Sequence, residues 1–157
     1  MVDSLTPAQR SERMSRIRGK DSQPELALRR ALHRLGLRYR LHSNDLPGKP
    51  DMVFPRHKAV VFVHGCFWHR HENCKVATTP KSNTVFWIEK FEKNMQRDRR
   101  VTGLLRDLGW RVFVVWECEV NPSKTADTAH RLNLAIRSGE LPPLSLPNNE
   151  GIPKCMD

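Results

Sequence analysis

Two apolar periods alternate along the 157-residue chain, and the switches between them lay out its elements. Leu28, Leu32 and Leu35 stand at i, i+4 and i+7, a stripe that predicts a core-facing helix. Asp21 or Ser22 can cap it, Pro24 suits its first turn, and Gly36 suits its end. Residues 38–42 alternate as a strand does, residues 44–50 are turn-rich, and residues 51–54 form a second short strand. After a turn at 55–58 the apolar run Ala59-Val60-Val61-Phe62-Val63 predicts a central strand. Residues 75–83 read as loop. From Thr84 a long helix runs towards Leu108 and closes at Gly109. Phe86, Trp87, Phe91 and Met95 mark its first half, Leu104, Leu105 and Leu108 its last, and Arg97-Asp98-Arg99-Arg100 its charged middle. Residues 110–116 are apolar enough for another central strand, ended by Glu117-Cys118, and 124–138 make one more helix. Helix, three strands, helix, strand, helix is an α/β layer order: a mixed central β-sheet flanked by helices.

The ends of the chain read differently. Thr6-Pro7 looks like a helix start, with Thr as cap and Pro at the first helical position. Arg10, Arg13, Arg16, Arg18 and Lys20 follow, with only Met14 and Ile17 apolar at helical spacing. Residues 1–22 are therefore expected to be a basic arm that orders against a phosphate backbone, or else a basic tail without order. Residues 23–140 carry the folded domain. Residues 141–157 are Pro-rich and expected to be irregular, and no role is assigned to Cys155 there.

Charge narrows the partner. The net charge is +10 and the pI about 10.0, which favours a polyanion, with a membrane surface as the rival. Residues 1–40 hold ten Lys/Arg against four Asp/Glu, and residues 90–111 hold seven against three. No apolar run approaches the ~20 residues of a membrane span. The basic N-terminus has no apolar core of a secretory signal, so a cytoplasmic location is expected.

The candidate chemistry gathers at 57–74, HKAVVFVHGCFWHRHENC, where a buried strand breaks at His64-Gly65 into a cluster of imidazoles and thiols. Cys66, His71 and Cys74 lie within nine residues, and Cys118 ends a neighbouring strand. Three Cys and one His suit a closed tetrahedral structural zinc site; the alternative is buried free thiols beside a surface His. Asp51 opens a strand that pairs in a hairpin with the strand leading to His64, which can bring it near residues 62–64. Pro50-Asp51 followed by a second strand is the outline of metal-dependent PD-(D/E)xK nucleases. The E-x-K position, however, reads Phe62-Val63-His64, so the second carboxylate and the lysine are missing. His64 and His69 can replace the lysine as bases for water, or serve only to support the zinc ligands. Asp51 can hold magnesium with a main-chain carbonyl and phosphate oxygens. Glu25, one turn before Leu28 on the same stripe, is either a first-turn residue favoured by the helix dipole or a group aimed into a site. Phe67-Trp68 in a loop, and Trp87 at the start of the long helix, suit wedging between base pairs; for Trp87 a core role is the main alternative.

These residues also match a family. Residues 47–51 (PGKPD), 61–71 (VFVHGCFWHRH), Phe86-Trp87-x-Glu89-Lys90, Asn94, residues 97–100 (RDRR), 108–112 (LGWRV) and 115–118 (VWEC) resemble the very short patch repair (Vsr) DNA mismatch endonucleases. The resemblance covers about residues 8–120. It implies a variant restriction-endonuclease-like fold with structural zinc, and magnesium-dependent nicking 5′ of the thymine in a T:G mismatch left by 5-methylcytosine deamination. It implies Asp51 as the magnesium carboxylate, the carbonyl of Val63 as a further ligand, and His69 as the base. His64 and Glu25 would order metal-bound waters. Zinc would be held by Cys66, His71, Cys74 and Cys118. Phe67, Trp68 and Trp87 would intercalate, with Met14 and Ile17 entering from the opposite groove. The partners implied are mismatched double-stranded DNA and, functionally, a cytosine-5 DNA methyltransferase, for an enzyme acting as a monomer. Help from a mismatch-repair protein is left open. Position 63 is Val where well-known members carry Thr, position 70 is Arg, and one extra residue separates His71 from the next Cys. Two other readings stay in play: a restriction-like or structure-specific nuclease of the same fold, and a zinc-stabilised DNA-binding module without catalysis.

Overall fold

The computed structural model describes residues 5–17 and 19–140. Helix α1 (Pro7–Ser15) opens with a capping box in which Thr6 and Gln9 satisfy each other's backbone amides. Helix α2 (Gln23–Arg34) follows. The strands are β1 (Arg40–Leu41), β2 (Met52–Phe54) and β3 (Ala59–His64); then come the short helix α3 (Cys66–His69), α4 (Thr84–Asp107), β4 (Arg111–Trp116) and α5 (Thr125–Ser138). The sheet runs β1-β2-β3-β4, antiparallel except for the parallel β3–β4 pair. This is the mixed α/β arrangement expected from the alternating periods.

The period-2 rule sorts side chains to two cores. Leu28, Leu32 and Ile136 from α2 and α5 meet Met52, Phe54, Ala59, Val61, Phe113 and Val115 on one face. Val101 and Leu105 from α4 meet Val53, Val60 and Val112 on the other. Val63 therefore points its side chain to the α2/α5 face, and Phe62 and His64 theirs to the α4 face. Arg111 secures the seam: its guanidinium donates to the carbonyls of His57, Ala135, Ile136 and Glu140, tying the hairpin to the end of α5. No described helix is long and apolar enough to cross a membrane.

Two local expectations change. The strand expected over 38–42 is only two residues long, because His42 takes a left-handed φ of +51° and breaks the ladder. Phe67-Trp68 do not sit in a loop. Gly65 starts a single helical turn, Cys66–His69, which Arg70 closes at φ +56°. That turn hands the two aromatics to α4 rather than to solvent. The approach to Asp51 is fixed by packing: Gly48 has φ +72°, and a Cβ there would overlap Val101 of α4.

Candidate active site and metal cluster

Chemistry-bearing residues gather where the parallel strands β3 and β4 end side by side, with His64 paired to Trp116. Asp51 sits just before β2, and the Val63 amide donates to its Oδ2 at 2.7 Å. The hairpin thus brings Asp51 to the strand end expected of it. Burial pushes the Asp51 carboxyl up to about 6; the Val63 amide opposes this, and the nearby Glu25 charge adds to it. Glu25 is 3% exposed. Its place on the Leu28 stripe therefore aims it inward, beside Asp51, and it is ion-paired with Arg29. The other guanidinium arm, Nη1, donates to Asp21 Oδ1 at 2.6 Å, and that contact lowers the Asp21 carboxyl.

The second group is two imidazoles and a carboxylate. His64 and His69 stack face to face, centroids 3.9 Å apart and planes within 7°. His69 Nδ1 lies 2.6 Å from Asp98 Oδ2. A proton on Nδ1 donated to Asp98 leaves the Nε2 lone pair free to accept another. Burial, and then the proximity of His69, push the His64 ring down to about 3, so it stays neutral. His64, His69 and Asp98 are close enough to be tested as a metal cage. Stacked rings, however, hold their in-plane lone pairs nearly parallel, where chelation needs them to converge.

Asp98 was hidden in the charged run at mid-α4. The signal that could have found it is helical: Trp87, Phe91, Asn94, Asp98, Val101 and Leu105 share one face at i, i+4, i+7, i+11, i+14 and i+18. Trp87, Phe91, Val101 and Leu105 are buried. Asn94 donates to the Trp68 carbonyl at 3.2 Å, and Asp98 meets His69. Two polar residues interrupting a buried stripe mark where the helix meets α3.

The third group is a Cys/His cluster that could hold a metal ion. Ligand atoms of Cys66, His71, Cys74 and Cys118 lie within 4.8 Å of one another. His71 Nδ1 is 3.5 Å from Cys66 Sγ and 3.3 Å from Cys118 Sγ. Glu117, read in the sequence only as the end of a strand, accepts the Cys66 amide at 2.9 Å and so holds the start of α3 against the end of β4. Burial pushes the Cys66 thiol up to about 12 and raises that of Cys118, while the Val76 amide lowers that of Cys74. Trp116 stands between the two sites: His71 stacks on it at 4.3 Å, and His64 meets it at 5.5 Å and 71°.

The aromatic residues are brought together as one packed cluster. Phe67 touches Trp68, Trp87 and Phe91 in edge-to-face contacts, with centroids 5.1–5.5 Å apart. Trp87 is 8% exposed, so it forms the buried base of the cluster, and Phe67 and Trp68 are half-buried over it. Phe86 beside them is 54% exposed. Met14 and Ile17 are on a separate element, Met14 half-buried in α1 and Ile17 exposed just beyond it. Arg18 and Cys155 lie outside the described residues.

Comparison with known proteins places this chain in a class. The model of the family "DNA mismatch endonuclease Vsr" matches residues 2–75. The type II nicking enzyme V.XorIIP of Xanthomonas oryzae pv. oryzae is 49% identical over 121 residues, covering 77% of this chain and 88% of that one. The DNA mismatch endonuclease Vsr of Escherichia coli is 44% identical over 118 residues, 75% of each chain. The type II nicking enzyme V.NmeAIP of Neisseria meningitidis is 43% identical over 137 residues, 87% of this chain and 96% of that one. The protein is a DNA endonuclease. It belongs to the Vsr family of DNA mismatch endonucleases.

Proposed function

We propose that the protein nicks double-stranded DNA 5′ of the thymine in a T:G mismatch, by magnesium-dependent hydrolysis of one phosphodiester bond. The observation that carries this reading is the joining of Asp51 to the amide of Val63, one residue before the His64–His69–Asp98 group. Carboxylate and base thus share one strand end on what we infer to be a variant restriction-endonuclease-like core.

The residues suit magnesium. Asp51 and the Val63 carbonyl are hard oxygen donors. Burial, and after it the Glu25 charge, raises the Asp51 carboxyl, and a bound cation offsets both. When bound, magnesium supplies Lewis-acid stabilisation of charge on the phosphate and leaving oxygen. His69 Nε2 takes the proton of the attacking water, and Asp98 holds the ring in the tautomer that can do so and steadies the imidazolium formed. His64, kept neutral, is an uncharged partner for water in the same pocket. Glu25 orders further water on the carboxylate side.

The Cys66/His71/Cys74/Cys118 cluster suits zinc. Tetrahedral bonds of ~2.3 Å to sulfur and ~2.0 Å to nitrogen put S and N ~3.5 Å apart, and the observed separations are 3.5 and 3.3 Å. Four protein ligands leave no open position, so the role is structural. The aromatic cluster, with Met14 and Ile17 from the arm, is proposed to open the base stack; a T:G wobble pair yields to such wedging more readily than a paired site. A cytosine-5 methyltransferase is the upstream enzyme whose product makes such mismatches, and the nuclease is proposed to act as a cytoplasmic monomer.

Strand-resolved cleavage of end-labelled duplexes tests the reading. One duplex carries a T:G pair in several flanking contexts, and its twin is fully paired. A magnesium-dependent single nick beside the mismatched T, absent from the twin, is expected. Cutting of both duplexes would make the enzyme restriction-like, and binding without any cut would make it an inactive module.

A further inference from the structure

Arg29 lies next to this machinery yet touches neither of the residues given the central tasks. Its side chain is 7% exposed, on a helix face otherwise occupied by Leu28 and Leu32. Nη2 pairs with the buried Glu25 one helical turn earlier, and Nη1 with Asp21 at 2.6 Å. Nε has no partner among the described residues. The guanidinium is thus aimed by two carboxylates rather than by a full set of hydrogen bonds. Tyr39 holds the backbone beneath it by donating to the Arg29 carbonyl at 3.0 Å. Asp21 is the last residue before the cap of α2, at φ +56°, and also contacts His42 Nε2 at 3.3 Å.

A buried ion pair is rarely worth its desolvation cost as a source of stability; an apolar pair of similar volume commonly does as well. Orientation is the better reason for one here. Glu25 and Asp51 carry like charge in one pocket, and each would drive the other away. A cation fixed on the same helix at i+4 holds Glu25 in one rotamer and offsets that repulsion. Two carboxylates engaged by two different nitrogens call for the planar fork of Arg, which Lys lacks. The second anchor, Asp21, ends the basic N-terminal segment, so the fork also sets where that segment leaves the active-site pocket.

We propose that Arg29 is a positioning residue for nicking: it holds the Glu25 carboxylate in place beside Asp51, and Asp21 anchors it from the other side. The inference rests on the function proposed above. Its test is a double-variant cycle on the full chain: wild type, Arg29→Met, Glu25→Gln and both together. Nicking of the T:G duplex is followed over hours with enzyme in excess, so that losses up to about 10⁴-fold are measured. Arg29→Met should lower the rate about 10- to 100-fold while DNA affinity stays within about twofold. In the Glu25→Gln background it should lower the rate by no more than about threefold, because the group it acts through is already gone. A rate for Arg29→Met within twofold of wild type, or a further loss above threefold in the Glu25→Gln background, overturns the proposal. If Arg29→Met does not fold, Asp21→Asn replaces it, since that side chain is 47% exposed and its loss opens no core. Asp21→Asn should slow nicking about threefold or more in the wild-type background only; a wild-type rate overturns the proposal. A wild-type protein that leaves the T:G duplex uncut is a failure of the function instead, and it is seen before any variant is made.

Discussion

Two sites share the ends of β3 and β4, separated by one indole ring, and they are built on opposite plans. The proposed metal cluster takes three of its four residues from nine consecutive positions and the fourth from the adjacent strand end. The proposed hydrolytic site draws Glu25 from α2, Asp51 from the approach to β2, His64 from β3, His69 from α3 and Asp98 from α4. A local cluster needs only a short loop to close and a metal to hold it shut. A dispersed site needs the whole layered fold to be correct before any two of its members meet. Loss of a ligand in the first should therefore act on stability, and loss of a member in the second on rate.

Metal removal is the harshest way to break that division. Cys118→Ser should lower bound metal by elemental analysis and reduce the melting temperature by about 10 °C. Unchanged metal content would remove Cys118 from the ligand set. Asp98→Asn should do the converse. It leaves the His69 ring without its carboxylate, so nicking should slow about 10²- to 10³-fold with DNA binding and melting temperature nearly unchanged. A nicking rate equal to wild type would reduce the contact with Asp98 to packing.

A subtler effect follows from Asp51. The folded carboxyl is raised to about 6 by burial, above the ~3.9 of an unfolded chain. Its stability contribution is full below about pH 4 and is lost as pH rises through about 6. In magnesium-free buffer, Asp51→Asn should stabilise the protein by about 3 kcal/mol at pH 8 and hardly at all at pH 4. Equal melting shifts at both pH values would mean that the carboxylate is well solvated. The smallest effect concerns DNA. Trp68→Ala should cut the preference for mismatched over paired duplex about tenfold, and an unchanged ratio would restrict Trp68 to packing on Phe67 and Trp87.

The same contrast explains what could be read from the sequence. Helices α2, α4 and α5, the β2–β3 hairpin and the apolar β4 were legible because burial imposes a period. The Cys/His cluster was legible because Cys and His within nine residues have few other uses. Asp98 was not, since an Asp among three Arg looks like a solvated helix face until α3 is seen against it. Arg29 entered only the count of basic residues over 1–40, because its meaning depends on Asp21 and Glu25 being carried to either side of it. The helical turn at Phe67-Trp68 escaped notice for a related reason: four residues are too few to show a period, and the packing of Phe67 on Phe91 is a long-range contact.

The parallel register of β3 and β4, with Val63 opposite Val115 and His64 opposite Trp116, sets where the family can change length. One residue inserted into β3 would send His64 to the α2/α5 face and Val63 to the α4 face, undoing both sites at once. The segment after His71 answers to no such frame. Growth and shrinkage among relatives should therefore collect between His71 and the start of α4, leaving 59–66 constant in length even where its letters drift.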